Sequence, residues 1–195
     1  MKLYDVEASG NCYKVRLLAS LANIELQLEP VDLANNEHRK PPMADMNPLA
    51  QVPVLVDGSS VLRDSQAILV YLAGTYGGLA WWPSHAQGQA EITQWLSFTA
   101  NEIQHSLCAA RLVQKFAAPL DKAAALAKSP AVLLLLDEHL RNNDWLAMAR
   151  PTIAECAVYP YVALAPEGDV DISPYQHVAG WMKRLETLPG SLPKP

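Results

Sequence analysis

The residues that first suggest chemistry are a hydroxyl, an amide and a thiol, Ser9, Asn11 and Cys12, where the first helix is predicted to begin. The first turn of a helix has unpaired N–H groups and partial positive charge, which stabilise an anion placed there. A thiolate is such an anion, and the pKa of its parent thiol, about 8.5, falls in positive surroundings. A hydroxyl such as that of Ser9 can donate one more hydrogen bond. On position alone, the simpler interpretation is that Ser9 or Asn11 only caps the helix.

A second segment, NPLAQVPV from Asn47 to Val54, places Pro53 just before a predicted strand. The missing N–H of a proline suits the mouth of a sheet, and the Val52–Pro53 bond could be cis. In such a turn the N–H and C=O of Val52 would point outward and pair with the backbone of a peptide-like ligand. An ordinary proline turn is an equally good interpretation of this segment alone.

A third segment, RDSQ, begins another predicted helix at Asp64 and Ser65. Exposed N–H groups and the Ser65 hydroxyl would bind a carboxylate, and Asp64 could bind an ammonium group. In isolation, capping alone would be the preferred interpretation. Taken together, the three segments suit a small peptide-like thiol with an α-amino-acid head.

The elements that position these segments alternate between strands and helices in the first third of the chain. We predict strands over 2–6 and 26–31, a helix after Asn11, a hairpin that turns at Asp57–Gly58 and a helix over 66–76. Residues 35–46 are predicted to be a loop or a short irregular helix. Gly77–Gly78 and Trp82–Pro83 then indicate a boundary, so we expect domains over 1–77 and 85–195, with a linker at 78–84.

The second domain is predicted to be all-helical. Apolar residues from Ile92 to Leu107 recur at three- and four-residue steps, which is typical of one long helix. A second helix includes 132–140; its apolar residues cover every face, which predicts a fully internal helix, and Ser129–Pro130 either starts or kinks it. Thr152 to Glu155 forms a capping-box pattern, and a last helix is expected over 174–185.

Composition excludes several classes of protein. The 195 residues are 50% hydrophobic and 18% charged with a net charge of −5, which indicates a globular domain. There is no basic run for nucleic acid or anionic membranes, and no apolar run is long enough to span a bilayer. Three cysteines without an export signal lead us to expect a cytoplasmic protein with reduced thiols. The histidines show no metal-ligand spacing, so no metal is expected.

The chain resembles the cytosolic glutathione S-transferases. SGNCYKVRL, NPLAQVPVL, LRDSQAILVYL and PTIAECAVYPY stand in the order of that family, and the likeness is greatest to its bacterial, theta-like and nu-like branches. The resemblance implies a thioredoxin-like N-terminal domain with a mixed four-stranded sheet, followed by an all-helical domain. It also implies a homodimer, with glutathione as cosubstrate and no prosthetic group.

The resemblance also assigns roles to single residues. Ser9 and Asn11 would stabilise the glutathione thiolate, with either as the main donor. The cosubstrate would be bound by six residues: His38, Gln51, Val52, Pro53, Asp64 and Ser65. A small hydrophobic electrophile would bind where the two domains meet, near His105, Ser106 and Arg111. At each of these last positions, packing or a solvated surface is the more common role.

Cys12 stands where related redoxins keep the second cysteine of a CxxC pair, and Ser9 replaces the first. A small buried packing residue is the favoured interpretation of Cys12, and a role in mixed disulfides with glutathione is the other. The leading functional hypothesis is glutathione conjugation. The alternatives are a glutathione-dependent disulfide reductase or peroxidase at the same site, and a non-catalytic binding protein on this fold.

Overall fold

The computed structural model describes residues 1–194 and has strands in its first third only. The strands are β1 (Lys2–Asp5), β2 (Gln27–Pro30), β3 (Val54–Asp57) and β4 (Ser60–Arg63). The helices are α1 (Gly10–Leu21), α2 (Met43–Met46), α3 (Ser65–Leu72), α4 (Ala86–Phe98), α5 (Ala109–Phe116), α6 (Lys122–Leu140), α7 (Ile153–Ala163) and α8 (Gln176–Glu186). This order confirms the predicted fold class, an α/β part followed by an all-helical part.

The four strands form one mixed sheet in the order β2-β1-β3-β4. β1 pairs in parallel with β2 and antiparallel with β3, and β3 and β4 form the predicted antiparallel hairpin. Gly58 has a φ of 57°, a left-handed conformation that glycine adopts at little cost in the tight turn after β3. Between β2 and β3 the chain is irregular, as expected, with a 3₁₀ turn at Glu37–Arg39 before α2.

The two parts of the molecule share one apolar core. Leu3 and Leu55 from the sheet pack in the same buried cluster as Leu17 of α1 and Val158 of α7. At the start of α1, a Cβ built on Gly10 would lie 2.9 Å from the ring of Tyr161 in α7. This close approach requires glycine at the point where the first turn of α1 meets the helical part.

The long helix predicted around Ile92 to Leu107 is confirmed, and it extends further in both directions. A π-helical segment, Thr99–Cys108, joins α4 to α5 without a break. A second π-helical segment, Ala73–Gly77, continues α3. Neither these helices nor any other in residues 1–194 combines the length and the apolar character needed to cross a membrane.

The prediction of a fully internal helix around 132–140 is wrong. Leu133 and Leu136 are fully buried, but Leu134 and Leu135 are 51% and 48% exposed. With 3.6 residues per turn, a helix packed on one side turns some of six consecutive apolar residues outward. α6 also begins earlier, at Lys122, because Asp121 caps it by accepting a hydrogen bond from the N–H of Ala124. Pro130 therefore lies inside the helix.

The predicted capping box is confirmed at the start of α7. The Thr152 hydroxyl accepts from the N–H of Ala154, and Glu155 accepts from the N–H of Thr152 at 2.7 Å. Glu155 also accepts from the N–H of Leu146 at 2.6 Å, so it joins the preceding loop to the helix. Burial raises the pKa of this carboxyl to about 7, against the effect of the hydrogen bonds it accepts.

Candidate active site

Ser9 is the N-cap of α1 and directly follows the loop after β1. Its backbone is extended, with φ −81° and ψ 118°, and its Oγ accepts a hydrogen bond from the N–H of Cys12 at 3.2 Å. That contact uses a lone pair and leaves the hydroxyl hydrogen to donate elsewhere. Ser9 therefore combines the capping role with the ability to donate one hydrogen bond at the positive end of a twelve-residue helix.

Cys12 lies one turn further along α1 in a different environment. It is fully buried, and its Sγ accepts a weak hydrogen bond from the N–H of Val6 at 3.4 Å. Burial raises the pKa of the thiol to about 12, although the contacts with Ser9 and Val6 lower it in part. Because the thiolate is the nucleophilic form, this geometry agrees with the packing interpretation.

Asp64 and Ser65 begin α3. The Asp64 carboxylate accepts from the N–H groups of Gln66 and Ala67, both at 3.0 Å, and so caps the helix. Its φ of 79° and ψ of 119° are strained for a residue with a Cβ, which is a feature found at ligand sites. Ser65 is buried, and its hydroxyl donates to the Asn11 side chain at 3.3 Å. This bond joins the first turn of α3 to that of α1.

The Val52–Pro53 peptide bond is cis, as predicted, and both residues line the same cavity as Asn11 and Ser65. The turn before it is held by Asn47, a buried residue whose side-chain amide donates to the Gln51 carbonyl at 2.8 Å. The Asn47 side chain also accepts from the N–H of Leu49 at 3.1 Å. We assigned no role to Asn47 from the sequence, although an Asn-Pro pair before a strand is a known turn signal.

Six of the predicted residues line one small cavity of about 60 Å³: Asn11, Gln51, Val52, Pro53, Asp64 and Ser65. Asn47, Leu49 and Arg63 complete its walls. Ser9 is not part of this lining; it caps the same helix turn that contributes Asn11. The cavity is therefore bordered by two helix N-termini, a backbone turn and one carboxylate, a set suited to an amino-acid-like ligand with an extended amide.

His38 lies outside that lining, in the 3₁₀ turn Glu37–Arg39. Its Nδ1 is buried and has no hydrogen-bond partner among residues 1–194. A buried nitrogen without a partner is costly, and a ligand that approached this turn could supply the missing bond.

The structure separates the three residues predicted for the second substrate. His105 is exposed, and its Nδ1 contacts the Asn101 carbonyl at 2.8 Å. Ser106 is fully buried and donates to the Glu102 carbonyl within its own helix at 2.6 Å. Arg111 is 2% exposed and pairs with Glu167. Only His105 presents surface to a ligand.

Lys14 and Arg16 of α1 make contacts that the sequence did not predict. Arg16 forms an ion pair with Asp5 and donates to the Glu7 carbonyl at 2.9 Å. Lys14 is buried, with its ammonium 5.0 Å from the centre of the Tyr161 ring, and burial lowers its pKa to about 8. α1 therefore has two basic side chains directly after its first turn.

A larger groove of about 820 Å³ lies elsewhere, between α4, α6 and the loop before α7. Trp95, Phe98, Leu135 and His139 are among its walls. None of the predicted site residues lines this groove, so it is separate from the candidate active site. No cluster of three or more metal-ligating side chains occurs within residues 1–194.

Comparison with known proteins settles the family. The model of the glutathione S-transferase N-terminal domain matches residues 3–80, and that of the C-terminal domain matches residues 105–189. The chain belongs to the glutathione S-transferase family. It is 31% identical over 196 residues to glutathione S-transferase 2 of Anopheles gambiae, with 98% of this chain and 93% of the relative covered.

Solved structures of glutathione S-transferases agree over nearly the whole chain. A possible glutathione S-transferase from Rhodopseudomonas palustris superposes with a TM-score of 0.89 at 32% identity, covering 99% of this chain and 97% of the other. A delta-class glutathione transferase from Nilaparvata lugens gives a TM-score of 0.87 at 30% identity, covering 97% and 90%. The predicted family is therefore confirmed, and the theta-like or nu-like branch stays a prediction.

Proposed function

We propose that this glutathione S-transferase family member activates glutathione as a thiolate, which then attacks a hydrophobic electrophile. The observation that carries the proposal is the meeting of two helix N-termini with the cis-proline turn around one cavity. The carbon–sulfur bond forms as the thiolate displaces or adds to the electrophile, and no covalent bond to the enzyme is needed. Acceleration comes from a stabilised anion in a fixed orientation.

The γ-glutamyl end of glutathione fits the start of α3. Its carboxylate would accept from the Ser65 hydroxyl and the N–H groups of the first turn, and its ammonium would face the Asp64 carboxylate. The backbone of Val52 would pair with the cysteinyl unit, and the exposed Gln51 side chain would reach the same unit. His38, whose Nδ1 has no hydrogen-bond partner in the described part of the chain, would contact the glycyl end.

This placement directs the sulfur toward the first turn of α1. There the Ser9 hydroxyl hydrogen is free to donate, and the helix terminus adds positive potential. Asn11 is the other possible donor, although its Oδ1 already accepts from Ser65. The donated hydrogen bond and the positive potential of the helix terminus both lower the pKa of the bound thiol below about 8.5.

For the electrophile we propose a site between the first loop and the π-helical segment near the exposed His105. Ser106 and Arg111 are left out of this site because both are buried and bonded within the fold. A π-helical segment widens a helix locally and is common at functional sites, which suits a wall that must accept irregular apolar molecules.

We further propose a homodimer in the cytoplasm. The exposed Leu134 and Leu135 on α6 give an apolar face that a second copy could cover. The three cysteines are all free thiols, which agrees with a reducing compartment.

A disulfide reductase or peroxidase that uses glutathione alone remains the second candidate, since Asn11 lines the cavity. A form of that chemistry with Cys12 as attacking thiol is disfavoured by its complete burial. Paired assays with chlorodinitrobenzene and with 2-hydroxyethyl disulfide separate the two activities. If the disulfide is turned over faster than chlorodinitrobenzene, the main reaction is disulfide reduction and not conjugation.

Calorimetry with glutathione tests the binding site directly. Ser65→Ala should weaken binding about tenfold or more, since a hydrogen bond to a charged group contributes about 1.5–3 kcal/mol. Asp64→Asn keeps oxygen and shape at the cap but removes the charge, and should also weaken binding. Ser59→Ala, in the exposed hairpin turn, is the matched control. Unchanged affinity in both site variants, or no binding by the wild type, would overturn the proposal.

A further inference from the structure

Two arginines donate hydrogen bonds to three successive carbonyls in the loop from Val6 to Ser9. Arg16, from α1 of the same domain, donates to the carbonyls of Val6 at 3.4 Å and Glu7 at 2.9 Å. The third carbonyl, that of Ala8, accepts from Nη2 of Arg111 at 3.0 Å. Arg111 lies in α5, so this contact comes from the helical domain, 103 residues along the chain.

Arg111 also forms an ion pair within the helical domain. Its Nε donates to Glu167 at 2.6 Å, and Lys115 binds the same carboxylate at 2.7 Å. Although burial acts to raise it, the pKa of the Glu167 carboxyl is lowered by Lys115 and Arg111, so the carboxylate is the stable form. A Cβ at Gly168 would lie only 2.5 Å from the backbone nitrogen of Arg111, so this turn packs directly against α5.

A buried guanidinium in this setting must be matched by acceptors, because an unpaired buried charge is strongly destabilising. Glu167 supplies one acceptor and the Ala8 carbonyl supplies another. The Ala8–Ser9 peptide bond is thus held on both sides: its carbonyl accepts from Arg111, and its N–H donates to the Val6 carbonyl at 2.9 Å. That peptide bond carries the nitrogen of Ser9, so its orientation helps to determine the position of the Ser9 side chain.

We propose that Arg111 is a positioning residue for Ser9, through which the helical domain holds the thiol-activating loop of the other domain in its working geometry. The inference rests on the proposed function, because it assumes that Ser9 donates to the glutathione sulfur. It gives Arg111 a different role from the ligand contact expected from the sequence. With 2% of its surface exposed, Arg111 acts through the backbone of Ala8.

The first experiment measures the pKa of enzyme-bound glutathione from the ultraviolet absorbance of its thiolate, together with steady-state kinetics. Arg111→Met should raise that pKa and lower kcat about tenfold or more, since small misplacements of catalytic groups cost up to about a hundredfold. Glutathione affinity should change less than about twofold, because the α3 residues are untouched. Arg184→Met is the matched control, since Arg184 binds the carbonyl of Asp144, away from the loop.

Arg111→Lys distinguishes position from charge. A lysine keeps the positive charge but lacks the planar fork that joins Glu167 to the Ala8 carbonyl. Positioning predicts a loss of activity close to that of Arg111→Met, whereas a purely electrostatic role predicts wild-type behaviour, which would overturn the proposal. If Arg111→Met does not fold, Arg111→Lys decides the question with the same readouts.

A double-mutant cycle then asks whether Arg111 acts through Ser9. In a Ser9→Ala background, Arg111→Met should cause little further loss, because the donor it positions is already absent. Full additivity of the two losses would contradict the inference. The proposed function fails separately, and visibly, if the wild type neither binds glutathione nor lowers the pKa of its thiol.

Discussion

Ser9 and Cys12 share one turn of α1, yet they have opposite chemical environments. The Ser9 hydroxyl keeps a hydrogen to donate, whereas the Cys12 thiol is fully buried and its pKa is raised to about 12. A hydroxyl that donates and a thiol that stays protonated near neutral pH suit an enzyme that activates the thiol of its cosubstrate. This contrast at the residue scale favours conjugation over chemistry by a protein thiol.

The burial of all three cysteines leads to a prediction about thiol reactivity. Burial raises the pKa of Cys12 and Cys108, and it raises that of Cys156 well above its usual range. At neutral pH the native protein should therefore react very slowly with iodoacetamide, and all three thiols should be modified in denaturant. Mass spectrometry measures the extent. Rapid alkylation of native Cys12 would instead support a mixed-disulfide role.

At the scale of elements, the capping box of α7 makes stability depend on pH. The folded-state pKa of Glu155 is about 7, above the ordinary 4.5. Between these values the folded chain holds a proton that the unfolded chain releases, so the free energy of unfolding falls as pH rises. The contribution lost by pH 8 is on the order of 3 kcal/mol.

Urea unfolding at a series of pH values measures this slope. In Glu155→Gln the free energy of unfolding should change less between pH 4.5 and 7, because the titrating group is gone. Glu138→Gln, on the exposed side of α6, should keep the wild-type slope. A variant at position 155 with an unchanged pH profile would show that another group causes the dependence.

Elements with a local signal were predictable, and those set by long-range packing were not. A first helix beginning close to Ser9 and Asn11, the hairpin and the capping box each follow from a few neighbouring residues, although the choice of Ser9 as the cap did not. The exposed side of α6 was missed because six consecutive apolar residues, 131–136, hide the period of the helix. The contact between Arg111 and the Ala8 carbonyl was missed because its partners lie 103 residues apart.

At the scale of the whole molecule, the two domains meet closely at Gly10. Gly10→Ala would place a Cβ 2.9 Å from the buried Tyr161 ring, so we expect a loss of about 1–3 kcal/mol from overpacking. Gly74→Ala is the matched control, because its Cβ would lie 3.9 Å from the nearest side chain. Denaturant unfolding compares the two variants. Equal free energies of unfolding would mean that the contact between α1 and α7 adjusts to the added Cβ at little cost.

Dimerisation is a second prediction at this scale. Leu135→Glu should weaken a homodimer, because it places a charge on the apolar face of α6, and sedimentation would show dissociation. Leu120→Glu is the control, since Leu120 has the same 48% exposure in the turn before α6. Dissociation by both variants, or by neither, would remove this face from the interface.

The central claim is that the first turn of α1 holds the glutathione sulfur as a thiolate. Its most direct test is a pH titration of the thiolate absorbance of glutathione bound to the wild type, Ser9→Ala and Asn11→Ala. The account predicts a thiol pKa clearly below about 8.5 in the wild type, a rise toward that value in Ser9→Ala, and a smaller change in Asn11→Ala. A bound thiol that titrates identically in the wild type and Ser9→Ala would contradict it.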